Sequence, residues 1–107
     1  MNKESKVLGL VGIATKAGKI SFGAESVKDA INKHRATLVI VANDASIKTI
    51  ENFKFICEKN KILFLKFSNI EALSKSIGKP NKAIISINDK NFSEEINKII
   101  CGGEAIG

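Results

Sequence analysis

One apolar run, Leu38–Ala42 (LVIVA), most constrains the fold of this 107-residue chain. The run contains no polar residue and is rich in β-branched side chains, so it lacks the alternation expected of a strand with one solvated face. It therefore predicts a strand that is buried on both faces. Such a strand belongs inside a sheet that helices cover on both sides.

Strand and helix patterns alternate along the rest of the chain. Short apolar runs predict three further strands, at Lys19–Phe22, Ile62–Phe67 and Ala83–Ile87. Apolar residues spaced three and four apart predict helices over 7–16, from Gly23, from the cap Ser46 to about Asn60, from Ser68 or Asn69 to Gly78, and after the cap Ser93. This order predicts one α/β domain, a three-layer α/β/α sandwich, with its core over about 7–100 and a flexible tail over 101–107.

Composition favours a partner that carries negative charge. The formal net charge is +6, from 17 Lys and Arg against 11 Asp and Glu. A basic balance attracts polyanions such as nucleic acids. Arg35 is the only arginine, however, so a lysine-rich proteome explains the same composition without any polyanionic partner.

The ends of the chain and its cysteines predict a reduced, cytoplasmic protein without a membrane segment. Residues 1–6 are mostly polar or charged, and Val7–Ala14 is too short for a secretory core or a membrane span. Cys57 lies on the apolar face of a predicted helix, and Cys101 lies in the glycine-rich tail. Their spacing matches no metal-binding pattern, and nothing in the sequence supports a disulfide between them.

No arrangement suited to catalysis is recognisable. His34, the only histidine, lies beside Lys33 and Arg35 at the polar end of a predicted helix, with no neighbour in sequence to orient it as a general base. Asp44 follows the Leu38–Ala42 strand, where an acidic residue could bind Mg²⁺, but it is the only acid in its loop and suits a turn better. Glycine-rich nucleotide motifs and nucleophile motifs are absent. The sequence therefore predicts no enzyme, no cofactor and no metal.

Three short strings lie where regular elements give way to loops: Lys19–Gly23, Leu38–Ser46 and Ile77–Lys82. A glycine that opens a helix leaves N–H groups pointing outward, which favours an anion there. Five lysines accompany the first and last strings: Lys16, Lys19, Lys28, Lys79 and Lys82. If the three loops converge, these cations form a basic rim suited to phosphates. Lysines scattered over a solvated surface would give the same pattern.

The order of these motifs resembles a protein family. The runs LGLVGIATKAGKISFG, LVIVANDAS, EALSKSIGK and AIISINDKNF are similar to those of bacterial YlxQ-type members of the kink-turn-binding ribosomal protein superfamily. The resemblance covers about residues 7–100. It implies a mixed four-stranded sheet, and it implies binding of structured RNA, typically a kink-turn, by the start of the second helix and the loop before the last strand.

The resemblance also assigns residues to these two regions. Anchored on Gly23, the family's asparagine, glutamate or glutamine, and lysine positions fall on Glu25, Ser26 and Asp29. Ser26 is shorter than the usual residue, and Asp29 replaces a cation, so the helix start departs from the family pattern. In the second region, small and apolar residues would pack against RNA, with lysines adding charge. The candidate RNA-binding residues are Lys16, Lys19, Gly23, Ala24, Glu25, Ser26, Lys28, Lys79, Asn81, Lys82, Ala83 and Ile84.

Together these observations predict a cytoplasmic, monomeric, non-enzymatic protein of ribosomal type that binds structured RNA, either ribosomal RNA or another kink-turn-like element. Association with the ribosome is part of this expectation. Two alternatives stay open. One is a protein–protein interaction module, which the altered Glu25, Ser26 and Asp29 positions allow. The other is an RNA-substrate module that acts with an enzyme on a separate chain.

Overall fold

The computed structural model describes residues 2–102. Five α-helices and four strands alternate in this part of the chain. They are α1 (Lys3–Lys16), β1 (Ile20–Phe22), α2 (Ala24–Asn32), β2 (Leu38–Val41), α3 (Ile47–Asn60), β3 (Leu63–Lys66), α4 (Ile70–Ile77), β4 (Ile84–Ile87) and α5 (Lys90–Asn97), followed by a π-helical turn (Lys98–Gly102). Within these residues, no helix combines the length and apolar character needed to cross a bilayer.

The four strands form one mixed sheet in the order β1-β4-β2-β3. Strands β2 and β3 run parallel, whereas β4 is antiparallel to both of its neighbours, β1 and β2. Val41 is level with Ile84 on β4, and Phe22 is level with Ile85. Within residues 2–102, the last strand therefore lies between the first two, and the predicted mixed four-stranded α/β fold is confirmed.

The buried strand β2 separates two apolar cores, as its composition predicts. Leu38 and Ile40 pack on one face with residues of α1, α4 and α5, and Val39 and Val41 pack on the other with residues of α2 and α3. All four side chains have no exposed surface. Cys57 lies in the second core, where it acts as a small apolar residue.

Two helix boundaries differ from the predicted ones because of caps that the hydrophobic pattern does not reveal. Helix α1 begins at Lys3, four residues before the predicted start, since the Asn2 side chain accepts a hydrogen bond from the Ser5 N–H at 2.7 Å. Helix α5 begins at Lys90, since Asp89 caps it by accepting from the Phe92 N–H at 2.9 Å.

The prediction that Ser93 caps the last helix is therefore wrong. Ser93 lies inside α5, where its hydroxyl is buried and hydrogen-bonded to the Thr37 hydroxyl. The predicted cap Ser46 is confirmed, and of the two candidates before α4 the cap is Asn69.

The structure describes only the first two residues of the predicted tail 101–107, which are Cys101 and Gly102. Cys101 and Gly102 belong to the π-helical turn that continues α5. The predicted flexibility of residues 101–107 stays a prediction. Residues 103–107 lie outside the described part of the chain. Cys101 is exposed and Cys57 is buried, and both are unpaired thiols.

Candidate nucleic-acid interface

The three loop strings meet at one end of the sheet, where β1, β2 and β3 end and β4 begins. The Gly23 N–H donates to the Ile84 carbonyl at 2.9 Å, and the Ala42 N–H donates to the Ala83 carbonyl at 2.9 Å. The β2–α3 loop joins the same end through the Asn43 N–H, which donates to the Ser68 carbonyl. We call this end of the sheet the Gly23 edge.

Gly23 turns the chain from β1 into α2. Its backbone angles are φ 89° and ψ 154°, a region in which an L-side chain is strained. Glycine offers no side chain to cap α2, so the N–H groups of Ala24, Glu25 and Ser26 are left at an uncapped helix start. These three residues are exposed. The start of α2 therefore presents donors and a partial positive charge to solvent.

The loop between α4 and β4 is held in place by Ser74, which is only 6% exposed. The Ser74 hydroxyl accepts from the Lys82 N–H at 2.7 Å and donates to the Lys82 carbonyl at 3.2 Å. Gly78 ends α4 in the left-handed conformation, and Asn81 adopts the same conformation inside the loop. Two left-handed residues and one side-chain clamp fix the path of the loop at the Gly23 edge.

Two lysines of this loop lie against β1. The ammonium groups of Lys79 and Lys82 lie 5.8 and 5.6 Å from the centre of the Phe22 ring. The Lys82 Nζ is also only 3.7 Å from the position that a Cβ would occupy on Gly23. Within residues 2–102, neither lysine forms an ion pair. Two unneutralised cations therefore lie beside the positive end of α2, an arrangement that favours an anion.

Asp29, which stands where the resemblance implies a lysine, forms two ion pairs near the end of α2. Its carboxylate lies 3.3 Å from the Lys33 ammonium and 3.4 Å from the Arg35 guanidinium. The Asp29 side chain is half exposed, so both pairs are weak. Even so, two cations accompany this carboxylate, which reduces its repulsion of a nearby phosphate.

Of the five predicted lysines, only Lys79 and Lys82 lie over the Phe22 ring. The Lys19 carbonyl accepts from the Asn88 N–H at 2.7 Å, at the end of the sheet opposite the Gly23 edge. Lys16 lines a groove between α1 and α4 together with Gly78. Lys28 extends over the Phe53 ring, 5.9 Å from its centre, on the side of α2 that faces α3.

Asp44 lies in the turn after β2, as the sequence predicts, and it has a second structural role there. Its side chain accepts a hydrogen bond from the Ile70 N–H at 2.8 Å and so links the β2–α3 loop to the start of α4. His34 adopts a left-handed conformation just after α2. Among residues 2–102, no group of three or more histidine, cysteine or acidic side chains is placed to hold a metal ion.

Sequence reasoning missed Phe22 and Ser74, the two residues that organise the lysines. Phe22 immediately precedes the helix-opening glycine, and Ser74 interrupts the apolar face of α4 between Leu73 and Ile77. A lone serine on an apolar helix face indicates a partner for its hydroxyl. That signal could have identified Ser74, although not the loop residue that it binds.

Cys57 lies in the core and not at the Gly23 edge. Burial raises the pKa of the Cys57 thiol from 9.0 to about 11. The thiol is therefore neutral near pH 7, and its nucleophilic thiolate form is suppressed. Cys57 is a packing residue and not a candidate reactive group.

Comparison with known proteins shows which proteins this chain is similar to. Residues 5–97 match the model of the Ribosomal protein L7Ae/L30e/S12e/Gadd45 family. The chain is 35% identical over 98 residues to the RNA-binding protein YlxQ of Enterococcus faecium, covering 91% of this chain and 93% of the relative. It is 29% identical over 96 residues to the large ribosomal subunit protein eL8 of Thermoplasma volcanium, covering 89% of this chain and 79% of that protein.

Two solved structures have a similar fold. A Bacillus halodurans protein of unknown function superposes with a TM-score of 0.86 at 32% identity, over 91% of this chain and 98% of the other. The 15.5kD RNA binding protein of Giardia lamblia superposes with a TM-score of 0.80 at 22% identity, over 98% of this chain and 90% of the other. The second likeness concerns the fold alone.

Proposed function

Since the chain belongs to the ribosomal protein L7Ae/L30e/S12e/Gadd45 family, we propose that it binds structured, kink-turn-like RNA through the Gly23 edge. In this proposal the contacts come from the start of α2 and from the loop Lys79–Ile84. The protein acts by binding and catalyses no reaction. Its place of action is the cytoplasm, on ribosomal RNA or another bent RNA element.

One observation carries the proposal: the two lysine ammonium groups on Phe22 lie beside the uncapped start of α2. The Lys82 Nζ lies 3.7 Å from the Cβ position of Gly23, and no carboxylate within residues 2–102 pairs with it. Cations next to the positive end of a helix favour a bound anion. An RNA phosphate would supply that charge.

Recognition of a particular RNA shape would come from the rigid edge that surrounds this charge. The Ser74 clamp and the hydrogen bond from Gly23 to Ile84 hold the loop and the helix start at a fixed separation. A preformed surface stabilises the RNA conformer that fits it and so shifts the population of a flexible RNA toward the bent form. Glu25 and Ser26, exposed in the first turn of α2, would accept hydrogen bonds from base edges.

The names of the related proteins support this proposal. Two YlxQ proteins, from Enterococcus faecium and from Bacillus subtilis, bear the name RNA-binding protein, and the second is 29% identical to this chain over 91 residues. The eL8 relative is a protein of the large ribosomal subunit. These names support RNA as the ligand and the ribosome as a place where it could be found.

The test compares a kink-turn RNA with a straight duplex of equal length across a salt series. The variant Lys79→Gln/Lys82→Gln removes the two cations at the Gly23 edge. The control Lys61→Gln/Lys90→Gln removes two exposed cations near the opposite end of the sheet, where both residues line one groove. Both variants lower the net charge by two, so they differ only in where the charge is lost.

We expect the natural sequence to bind the kink-turn at least tenfold more tightly than the duplex. The Lys79→Gln/Lys82→Gln variant should lose on the order of tenfold in affinity and should show a shallower salt dependence, because fewer counterions are released. The control should retain the preference for the kink-turn. Equal losses in the two variants would refute the Gly23 edge as the site, and equal binding to both RNAs would refute kink-turn recognition.

A further inference from the structure

A groove between α2 and α3 begins at the Gly23 edge and runs along both helices. Ala24, the first residue of α2, lines its near part, which has a volume of about 620 Å³. A second part of about 290 Å³ continues past Asn32 to the far ends of the helices. Lys28 and Phe55 line both parts. The groove is therefore continuous with the edge proposed to bind structured RNA.

Phe55 gives this groove an exposed aromatic ring. All six phenylalanines lie within the described residues, and among them only Phe55 is largely exposed, with 63% of its surface accessible. The neighbouring Phe53 is 1% exposed and belongs to the core. A solvent-facing ring with no packing role of its own offers a platform on which a planar group can stack.

The charges around Phe55 select the kind of group that could stack there. Lys28, Lys48 and Lys59 line the groove and are exposed, whereas Glu51 is the only acidic residue among the lining residues. Within residues 2–102, none of the three lysines forms an ion pair. The combination of lysines with an exposed ring is complementary to an anionic chain that carries planar groups, which is the chemistry of a single nucleic-acid strand.

We propose that the α2–α3 groove binds a single-stranded RNA segment that leaves the structured element at the Gly23 edge. One unpaired base stacks on Phe55, and the phosphates on either side of it lie near Lys28, Lys48 and Lys59. This inference rests on the proposed function, because it places the strand as a continuation of the RNA bound at that edge. A duplex does not suit the groove, since its bases are not available to stack on a side chain.

The experiment uses three RNAs that share one kink-turn: a blunt form, a form with six unpaired uridines at the 5′ end, and a form with the same extension at the 3′ end. The variant Phe55→Ala removes the ring. Ile47→Ala is the matched control, since Ile47 is 77% exposed on the same helix but does not line the groove. A second pair, Lys48→Gln and Lys54→Gln, compares a lining lysine of α3 with an exposed lysine of α3 outside the groove.

One of the extended RNAs should bind about fivefold or more tightly than the blunt RNA, the gain expected for stacking one base. Phe55→Ala should abolish this gain and leave the affinity for the blunt RNA unchanged, and Ile47→Ala should preserve the gain. Lys48→Gln should reduce it more than Lys54→Gln does. A gain that survives Phe55→Ala, or no gain with either extension, overturns the groove proposal even if the blunt RNA binds as proposed.

An outcome that refutes the proposed function can be distinguished from one that refutes the groove proposal. If the blunt kink-turn RNA does not bind, the proposed function is refuted, and a labelled twelve-residue oligouridine then tests the groove alone. Binding of that strand that is lost in Phe55→Ala and kept in Ile47→Ala supports the groove. Absence of binding, or capture of an acidic peptide of equal charge with the same affinity, overturns it.

Discussion

The hydroxyl of Ser74 holds the loop that carries Lys79 and Lys82, so Ser74→Ala tests how the fold supports the site. The substitution leaves the Lys82 N–H without its acceptor at 2.7 Å and the Lys82 carbonyl without its donor at 3.2 Å. A partly buried donor without a partner costs about 1–3 kcal/mol, and the longer bond contributes less. The expected loss in free energy of unfolding is about 2 kcal/mol, which lowers the Tm by roughly 9 °C in a chain of this size.

Ser76→Ala is the matched control because it removes a serine hydroxyl from the same helix. Ser76 donates one hydrogen bond, at 2.6 Å, to the Leu8 carbonyl of α1, and within residues 2–102 its hydroxyl has no hydrogen bond to the loop. That substitution should cost about 1 kcal/mol. Chemical denaturation of the two variants measures the difference in stability directly.

A measurement of RNA binding distinguishes the Ser74→Ala and Ser76→Ala variants further. At a temperature where both variants are folded, Ser74→Ala should weaken kink-turn binding by about threefold to tenfold, because the loop must now be ordered on binding. Ser76→Ala should bind as tightly as the natural sequence. Equal affinities for the two variants, or a smaller loss of stability in Ser74→Ala than in Ser76→Ala, would refute the reasoning.

Gly23→Ala should lower the free energy of unfolding by about 1–3 kcal/mol, because φ 89° strains any L-residue. Gly9→Ala, on an open helical surface, should raise it by up to about 1 kcal/mol. Denaturation experiments in which both variants change the free energy of unfolding in the same direction would contradict this. Asp29→Lys should tighten RNA binding about threefold or more in a titration, and unchanged or weaker binding would argue against contact at this position. A thiol reagent at pH 8 should label Cys101 and spare Cys57 until the protein unfolds. Because burial raises the pKa of Cys57 from 9.0 to about 11, the stability linked to its neutral form is present below pH 9 and is lost as the pH rises toward 11.

The sequence predicts the layers of the fold well because burial on both faces leaves a strong local signal. The run around Leu38 has no polar residue, so its strand could only lie inside a covered sheet, and the structure buries it completely. Helix starts were less predictable. Asp89 and Ser93 are both good caps, and the pattern of apolar residues does not distinguish a helix that begins at one from a helix that begins at the other.

The candidate site was predictable in its parts but not in its assembly. The glycine that opens α2 and the lysines of the last loop stand out locally, and the structure brings Gly23 and Lys82 together. Lys19 carries the same local signal, yet the antiparallel pairing of β1 with β4 places it at the other end of the sheet. Which end of a strand lies beside a given loop depends on the order and direction of the strands in the sheet. Both are set by contacts between residues far apart in sequence.

The position of β4 between β1 and β2 also determines when the Gly23 edge can exist. Ile84–Ile87 pairs with strands that precede it by more than forty residues, and β1 has no other strand partner in the sheet. Contacts of such long sequence separation carry a large loop-closure entropy cost and cannot form before β4 is present. On the ribosome, a nascent chain that has not yet released Ile84–Ile87 has no fixed Gly23 edge, so the proposed RNA-binding surface becomes available only after β4 has been synthesised.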